Sequence, residues 1–303
     1  ILHWKVTGDD GTVLAEGNKE VACEPHATVE LTLGAVQLPK TIREAYLDLG
    51  WTRKKSTPLV DTAWEIAYDQ FVLPASGKVW NGKPSEAGKT TFEVDENTGA
   101  LKSLCLDGEE LLASPVTISL FRPATDNDNR DRMGAKLWRK AGLHTLTQKV
   151  VSLKESKTSA TAQVNILNVT GKKVGDATLE YTLNHNGSLK VQTTFQPDTT
   201  WVKSIARLGL TFEMNDTYGN VTYLGRGEHE TYIDRNQSGK IGIYTTTPEK
   251  MFHYYVIPQS TGNRTDVRWV KLADDSGKGC WIESDSPFQF SALPFSDLLL
   301  EKA

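Results

Sequence analysis

Alternating hydrophobic and polar positions are the dominant pattern along this chain. From Thr178 to Phe195, the sequence TLEYTLNHNGSLKVQTTF places apolar side chains at every second position on both sides of Asn186-Gly187. Such alternation is typical of half-buried strands, and Asn-Gly is a strong signal for a two-residue type I′ turn. The segment therefore predicts a β-hairpin that turns at Asn186 and Gly187.

The same pattern recurs upstream in FEVDENTGALKSLCLDGEELL, from Phe92 to Leu112, with turn signals at Asn97-Thr98-Gly99 and at Asp107-Gly108. No segment keeps apolar residues at helical spacing for more than about three turns. One short helix is predicted around Gly134 to Lys140. The pattern as a whole predicts an all-β protein.

A break in the alternation divides the chain. Residues 76–91 lie in ASGKVWNGKPSEAGKTT, which is rich in Gly, Ser, Lys and Pro, and are predicted to be a linker. Residues 1–75 fit an immunoglobulin-like sandwich that lacks its first strand, because such a sandwich usually has about 100 residues. Residues 92–303 fit one large antiparallel sandwich. We expect it to be truncated at its C-terminus, because the chain stops at PFSDLLLEKA without a capping turn.

Composition and charge argue against several classes of partner. With 34 Lys and Arg against 38 Asp and Glu, the formal net charge is -4, whereas nucleic-acid binding usually needs a concentrated basic surface. No apolar run approaches the length of a membrane span, so a soluble protein is expected. Cys23, Cys105 and Cys280 are far apart and form no CxxC or Cys/His cluster. Neither a zinc site nor a disulfide framework is predicted, and no cofactor is expected in this chain.

Three polar stretches could carry chemistry. They are FRPATDNDNRDRMGAKLWRKAGL from Phe121 to Leu143, YLGRGEHETYIDR from Tyr223 to Arg235, and YYVIPQSTGNRTDVRW from Tyr254 to Trp269. Asp, Asn and Trp can bind the hydroxyls or the ring face of a sugar, but Asn and Asp are also ordinary turn residues. The residues alone leave two interpretations open, a binding site and a set of polar connections between strands.

Catalytic patterns do not stand out in the sequence. Glycoside hydrolysis needs two carboxylates at a fixed separation, and no local pattern selects such a pair. Sugar epimerisation would need a histidine with a glutamate, for which the candidates are His144, His185, His229 and His253. Neither a GxSxG elbow nor an HExxH helix occurs. The residues alone predict a two-domain β protein with polar loops.

The three polar stretches resemble, in the same order, motifs of the C-terminal part of bacterial β-galactosidases of glycoside hydrolase family 2, the LacZ type. The motif R-x-P-T-D-N-D followed by W-x-x-A-G-L is matched at Arg122, Thr125, Asp126, Asn127, Asp128, Trp138, Ala141, Gly142 and Leu143. The motif G-x-G-P-x-E-x-Y-x-D-R is matched at Gly225, Gly227, Glu230, Tyr232, Asp234 and Arg235. The motif Y-V-x-P-Q-E-x-G-N-R-x-x-V-R-W is matched at Tyr255, Val256, Pro258, Gln259, Gly262, Asn263, Arg264, Val267, Arg268 and Trp269.

The resemblance extends upstream and has local departures. ILHWKVTGDDGTVLAEG and TAWEIAYDQFVLP are similar to the immunoglobulin-like domain that precedes the large sandwich in this family, so the resemblance spans essentially the whole chain. Glu228 stands where the second motif has Pro, Ile233 where Pro is common, and Ser260 where the third motif has Glu. These departures leave the implied fold intact and put individual loop contacts in question.

The resemblance implies an immunoglobulin-like β-sandwich followed by a large galactose-mutarotase-like supersandwich. It also implies a non-catalytic C-terminal fragment of an enzyme that hydrolyses terminal β-D-galactosides. In this family the catalytic carboxylates and their metal ions belong to a TIM barrel that precedes these domains, so this chain alone is expected to be inactive. Its implied partners are the barrel and, through the parent's active site, a galactoside. A homo-oligomeric parent in the bacterial cytoplasm or periplasm is compatible with this.

In the family, the loop after the Asp-Asn-Asp motif lies at the mouth of the barrel. Candidate residues that border the active site or face the sugar are Asp126, Asn127, Asp128, Asn129 and Trp138. Candidates for interdomain or loop-anchoring contacts are Arg122, Glu230, Tyr232, Asp234, Arg235, Gln259, Asn263, Arg264 and Arg268.

The first loop leads to a mutational expectation. We expect Asp126, Asn127 and Asp128 to anchor their own backbone by Asx-type bonds and so to set where Arg130, Asp131 and Arg132 point. In the parent enzyme, Asp128→Ala should lower kcat/KM by roughly ten- to a hundredfold. Because the residue lies in a loop, the melting temperature should change little.

The sequence leaves two other functions open. A stand-alone carbohydrate-binding module is the main alternative. An epimerase is the other, because galactose mutarotases share the large-sandwich architecture, although a shared fold does not carry function. Several hundred upstream codons with a barrel pattern would favour the β-galactosidase fragment, whereas a start codon near Ile1 would exclude it.

Overall fold

The computed structural model of the protein describes residues 1–74, 88–130 and 134–302, so most of the predicted linker lies outside the described residues. Within these ranges the chain forms four antiparallel sheets and three short α-helices. The prediction of an all-β protein is confirmed. No helix in the described ranges is long and apolar enough to cross a membrane.

The first sheet lies in residues 1–74 and has the strand order β2-β1-β3-β4. Its strands are β1 (Leu2–Gly8), β2 (Val13–Lys19), β3 (Glu44–Trp51) and β4 (Ala67–Pro74). Val6, Ile42 and Ala45 form a small core against it. An immunoglobulin-like sandwich has two facing sheets, whereas residues 1–74 form one. The immunoglobulin-like detail is therefore not confirmed.

The second and third sheets share the largest hydrophobic core. The second has the order β13-β8-β6-β5, with β7 paired to β6, and the third has the order β12-β11-β10-β9. The strands are β5 (Thr90–Val94), β6 (Leu101–Leu106), β7 (Glu109–Glu110), β8 (Leu112–Ser119), β9 (Leu146–Glu155), β10 (Ser159–Asn168), β11 (Lys173–Leu183), β12 (Leu189–Pro197) and β13 (Gly209–Met214). Leu101, Ile118, Val164 and Leu179 belong to one cluster of buried side chains. The two sheets therefore pack as layers of one sandwich.

The fourth sheet has the order β15-β14-β16-β17. Its strands are β14 (Asn220–Gly227), β15 (Lys240–Thr246), β16 (Arg264–Ala273) and β17 (Gly279–Phe290). The helices are α1 (Gly134–Ala141), α2 (Pro248–Met251) and α3 (Asp297–Lys302), and a 3-10 turn spans Asp216–Tyr218. The helix predicted around Gly134 to Lys140 is confirmed as α1.

Two predicted turns have different geometries. At Asp107 and Gly108, both φ angles are positive, 55° and 84°, as a type I′ turn requires. In the β11–β12 hairpin only Gly187 has a positive φ, 82°, and Asn184 N–H donates to the Ser188 carbonyl at 2.9 Å. The hairpin is confirmed, but the type I′ turn predicted at Asn186-Gly187 is wrong. The chain uses a longer turn that needs left-handed backbone at glycine alone.

The first sheet packs against the fourth. Tyr46 of β3 lies in one buried cluster with Leu224, Ile241 and Trp269 of the fourth sheet. The side-chain amide of Gln70 donates to the Ile241 carbonyl at 2.8 Å and accepts from the Ile241 N–H at 2.7 Å. This amide satisfies backbone groups of β15 as a neighbouring strand would.

Candidate functional site

The loop from Phe121 to Arg130 is organised around the carboxylate of Asp128. Arg122 Nη1 and Nη2 donate to its two oxygens at 2.6 and 3.2 Å. Thr125 donates twice, from its backbone N–H at 2.9 Å and from Oγ1 at 2.8 Å. The Asp128 side chain is only 14% exposed. The bidentate bond from the Arg122 guanidinium and the bond from the Thr125 N–H together hold this loop in one shape.

These contacts also decide the charge of Asp128. Burial favours the neutral form, but the hydrogen bonds from Arg122 and Thr125 outweigh it and lower the pKa of Asp128 below its ordinary value. The carboxylate is therefore a fixed anion. A general acid for glycoside cleavage needs the opposite shift, a raised pKa.

The neighbours of Asp128 behave differently. Asp126 and Asn127 are exposed, and their side chains make no hydrogen bond within the described residues. The expectation that all three motif residues anchor the backbone is wrong for these two. Asn129 is also exposed, and its Oδ1 accepts from Arg139 Nη1 at 2.7 Å. Arg130 is exposed, while Asp131 and Arg132 lie outside the described residues.

Trp138 belongs to the core of the large sandwich. It is 5% exposed and clusters with buried side chains of the second and third sheets. Its indole Nε1 donates to Ser204 Oγ at 3.0 Å, and the guanidinium carbon of Arg122 lies 5.4 Å from the ring centroid. A Cβ on Gly134 would lie 2.4 Å from the ring. The sugar-facing role predicted for Trp138 does not fit this burial.

The sequence after Trp138 ends α1 sharply. Gly142 has a φ of 71°, its N–H donates to the Arg139 carbonyl at 3.0 Å, and Leu143 N–H donates to the Trp138 carbonyl at 3.0 Å. This pair of bonds is a Schellman motif, in which glycine supplies the left-handed residue. The Ala-Gly-Leu of the first motif is thus a helix stop.

The carboxylate of Glu230 accepts hydrogen bonds from both of the other polar stretches and so joins them. Its Oε1 accepts from Arg235 Nη2 at 2.7 Å and from the Tyr255 hydroxyl. Its Oε2 accepts from the Gly262 N–H at 2.8 Å and from Thr261 Oγ1 at 3.4 Å. The Glu230 side chain is 9% exposed. Burial opposes its ionisation, but the bonds from Tyr255, Gly262 and Arg235 together lower its pKa.

Further bonds tie the same two loops together. Asn263 Nδ2 donates to the Thr231 carbonyl at 2.8 Å and to Gln289 Oε1 at 2.9 Å, while Thr231 N–H donates to the Asn263 carbonyl at 2.8 Å. The Tyr232 hydroxyl lies 3.4 Å from Ser260 Oγ. Asn263 and Tyr232 therefore anchor loops within this chain.

Arg264 is 3% exposed and donates to the Tyr223 hydroxyl at 2.9 Å and to the carbonyls of Gly262 and Asn263 at 3.2 Å each. Arg264 is the first residue of β16, so its bonds to these carbonyls anchor the preceding loop to the fourth sheet. Asp234 is exposed and Gln259 half-buried, and neither side chain makes a hydrogen bond within the described part of the chain.

Arg268 of β16 connects the fourth sheet to the first. Its Nε and Nη2 donate to the two oxygens of Glu44 in β3 at 2.8 and 3.1 Å. The Tyr46 hydroxyl donates to the same carboxylate at 2.7 Å. Burial opposes the ionisation of Glu44, but Arg268 and Tyr46 lower its pKa. This pair lies at the contact between the first and fourth sheets.

Some structural partners could not be found from the sequence. Glu44 and Glu301 accept bonds from motif arginines or their neighbours, but neither lies in a polar stretch. Arg139 and Tyr255 lie within the polar stretches, and only their partners show what they do. For Glu44 and Glu301 the missing signal is a tertiary contact that spans more than 150 residues.

Other chemistry has little geometric support. No His side chain within the described residues is hydrogen-bonded to a carboxylate, as an epimerase pair would need. A surface depression of about 240 Å³ lies on the third sheet and is lined by Gln163, Asp176, Thr178 and Thr194 among others, without an aromatic ring. No described group of three His, Cys, Asp or Glu side chains comes together as a metal site would require.

Comparison with known proteins gives a consistent result over both parts of the chain. Residues 86–303 match the family model for the β-galactosidase small chain, and residues 1–74 match the model for β-galactosidase domain 4. A β-galactosidase of Priestia megaterium is 30% identical over 91% of this chain and 28% of its own length. One of Actinobacillus pleuropneumoniae is 23% identical over 95% of this chain and 30% of its own length.

A β-galactosidase of Kluyveromyces lactis is 27% identical over 78% of this chain and 25% of its own length. The chain thus spans less than a third of each of these three relatives. The small-chain match covers well over half of the residues, and the three polar loops lie inside it. The chain therefore belongs to the β-galactosidase small-chain family.

Proposed function

We propose that this chain is the non-catalytic C-terminal region of a β-galactosidase that hydrolyses terminal β-D-galactosides. The observation that carries the proposal is the state of the two motif carboxylates. Asp128 and Glu230 each bind an arginine and a backbone N–H, and each has a lowered pKa. A glycosidase needs one carboxyl group that stays protonated to donate to the leaving oxygen. Both carboxylates are instead held as anions by structural bonds.

The catalytic carboxylates and metal ions of the parent would then belong to a preceding TIM barrel. The described residues do not fit a metal site of their own. The side chains of Asp126 and Asn127 in the first loop are exposed, which leaves them free to contact such a barrel. We propose that this surface borders the active site, where it would position substrate or exclude water.

A second surface supports contact with preceding domains. Ile233, Tyr254, Val256 and Ile257 are 82, 81, 95 and 60% exposed, and all lie in the two loops that Glu230 joins. Apolar side chains clustered at a surface are typical of interaction sites. We propose that the barrel covers these loops, while a homo-oligomeric parent stays a prediction.

Activity of the isolated chain is the first test. The 303-residue chain should show no turnover of a chromogenic β-galactoside under conditions where the full-length enzyme is active. Turnover within about a thousandfold of an ordinary glycosidase would contradict the proposal, because enzymes accelerate such reactions by many orders of magnitude.

Sugar binding separates the proposal from a carbohydrate-binding module. Galactose or lactose should bind the chain no more tightly than about 1 mM, because a single exposed wall cannot enclose a polar ligand as a pocket does. Titration calorimetry measures this directly. Micromolar binding would favour the module instead.

The position of the loop is tested by exposed residues rather than by Asp128, because Asp128 also holds the loop together. In the full-length enzyme, Asp126→Ala with Asn127→Ala should lower kcat/KM by about tenfold and leave the melting temperature unchanged. Gln192→Ala, at an exposed position of β12, is the matched control. Equal kinetics for the loop variant and the control would show that the loop is remote from catalysis.

A further inference from the structure

Helix α3 carries two carboxylates that bind arginines next to the Phe121–Arg130 loop. Asp297 and Glu301 are four residues apart, so they lie on the same face of the helix, one turn from each other. Each forms an ion pair with an arginine, Asp297 with Arg207 and Glu301 with Arg139. Neither carboxylate lies in a polar stretch that the sequence singles out.

The Asp297 pair reaches the start of the loop. Arg207, bound to Asp297, also donates from Nε and Nη2 to Ser119 Oγ at 3.1 and 2.9 Å. Ser119 Oγ in turn donates to the Phe121 carbonyl at 3.2 Å. This series of bonds connects α3 to the residue where β8 gives way to the loop.

The Glu301 pair reaches the far side of the loop. Glu301 Oε1 accepts from Arg139 Nε at 2.5 Å, and Oε2 accepts from the Ala124 N–H at 3.5 Å. Arg139 Nη1 donates to Asn129 Oδ1 at 2.7 Å. Glu301 is 13% exposed, whereas Arg139 is 42% exposed. The mostly buried Glu301 carboxylate therefore fixes the more exposed Arg139, which in turn binds Asn129.

The helix depends on these contacts for its own order. In the 303-residue chain the described part of α3 has six residues, and an isolated helix of that length is not stable in water. Leu300, 7% exposed, is its buried side chain. The order of α3 and the order of the loop are therefore coupled through the same two ion pairs.

We propose that α3 is a strut for the first polar loop, and that Glu301 is a positioning residue for the reaction of the parent enzyme. The proposal rests on the proposed function, in which this loop borders the active site. Glu301 touches no reacting atom. It acts through Arg139 and Asn129, and so determines where the exposed side chains of Asp126 and Asn127 stand. The Arg122–Asp128 pair does not involve α3, so the loop stays folded when Glu301 is changed, but it moves more.

The first experiment measures hydrogen exchange in the 303-residue chain. Glu301→Ala should raise the exchange rate of the amides from Ala124 to Arg130 by about tenfold, because these amides lose a restraint but not their fold. Glu301→Gln keeps an acceptor oxygen and should have a smaller effect. Lys302→Ala, an exposed position on the same helix, should leave these amides unchanged. Unchanged exchange in Glu301→Ala, or an equal rise in Lys302→Ala, would refute the strut.

The second experiment measures kinetics in the full-length enzyme. Glu301→Ala should lower kcat/KM for a β-galactoside by about tenfold. A substitution far from the reacting atoms that displaces a positioning group by about 1 Å can lower the rate by more than that. Glu301→Gln should recover part of the loss. Arg139→Ala combined with Glu301→Ala should cost no more than the larger single change, because the two residues act through one contact.

The two experiments separate this inference from the proposed function. If the Asp126 and Asn127 variant loses activity while Glu301→Ala keeps wild-type kinetics, the loop borders the active site and Glu301 is not a positioning residue. If exchange rises in Glu301→Ala while neither variant changes kinetics, the strut is real and the active-site location of the loop is wrong.

Discussion

Asp128 and Glu230 use the same chemistry over very different spans of sequence. Each is a motif carboxylate with a lowered pKa that binds one arginine and one backbone N–H. The side-chain partners of Asp128 are three and six residues away. Those of Glu230 are 5, 25 and 31 residues away, and its backbone donor is 32 residues away. Asp128 therefore shapes one loop, whereas Glu230 joins two.

The exposure of the two arginines differs as well. Arg122 is 24% exposed beside Asp128, whereas Arg235 is 57% exposed beside Glu230. Removal of Asp128 would leave a largely buried cation. Removal of Glu230 would leave an arginine that water can reach, but the Gly262 N–H would be unpaired and the Tyr255 hydroxyl, which still accepts from Arg235, would lose its own acceptor. The cost at the first site is mainly electrostatic, and at the second it is mainly the loss of hydrogen bonds between loops.

The largest effect is expected at Glu230. Glu230→Ala should lower the free energy of unfolding by about 3 kcal/mol, because several donors in two loops lose their shared acceptor. Urea unfolding of the 303-residue chain measures it. Limited proteolysis should cut the variant first between residues 252 and 263. A loss smaller than that of Asp128→Ala would break the comparison.

Asp128→Ala should lower the free energy of unfolding by about 2 kcal/mol, since Arg122 loses its carboxylate partner and the Thr125 N–H loses its acceptor. The sequence alone predicts only a small change in melting temperature, because it does not show the bonds that Asp128 accepts from Arg122 and Thr125. Asp128→Asn keeps an oxygen for Thr125 and should lose less. Proteolysis of the 252–263 segment should stay at the wild-type rate, because the Asp128 contacts are local.

Acid should weaken both anchors. A carboxylate whose pKa is lowered in the folded state stabilises the protein above its ordinary pKa and loses that contribution as pH falls through the folded value. The ordinary values are 4.5 for Glu230 and 3.8 for Asp128. Stability should fall with decreasing pH below about 4.5. The fall should be shallower in Glu230→Gln, which removes one titrating group, and an equally steep fall would contradict the assignment.

The smallest effects should come from the acidic neighbours. Asp126→Ala and Asp234→Ala should each change the free energy of unfolding by less than about 0.5 kcal/mol, because both side chains are exposed and make no hydrogen bond within the described residues. Thermal unfolding measures both against wild type. A loss of about 2 kcal/mol in the free energy of unfolding at either position would contradict this expectation, because it would show that a motif residue without hydrogen bonds can matter as much as Asp128.

Local pattern was enough to predict the all-β class and helix α1. Alternation between Thr178 and Phe195 predicted the β11–β12 hairpin, because one face of each strand is buried and the other is not. The turn was predicted less well. Asn186-Gly187 and Asp107-Gly108 look alike in sequence, yet only the second pair has two positive φ angles. Strand register and loop length decide the turn type, and neither can be read from the dipeptide.

The candidate site was predicted only in part, for a physical reason. Trp138 was expected to face a sugar, because an aromatic residue in a polar stretch can serve either a surface or a core. Its side of α1 faces the large core. Asp126 and Asp128 are two residues apart in one motif, but only Asp128 meets Arg122. Glu44 and Glu301 carry no local signal, since their partners lie 224 and 162 residues away.

The contact between the first and fourth sheets has a consequence for synthesis on the ribosome. Glu44 and Arg268 are 224 residues apart, so at roughly 5–20 residues per second the partner of β3 emerges some 10 to 45 seconds later. During that interval Tyr46 has no fourth sheet to cover it. The first sheet must therefore wait as an incomplete unit in which Tyr46 is uncovered. A chaperone that shields such faces, or slow aggregation when none is present, would act in this interval.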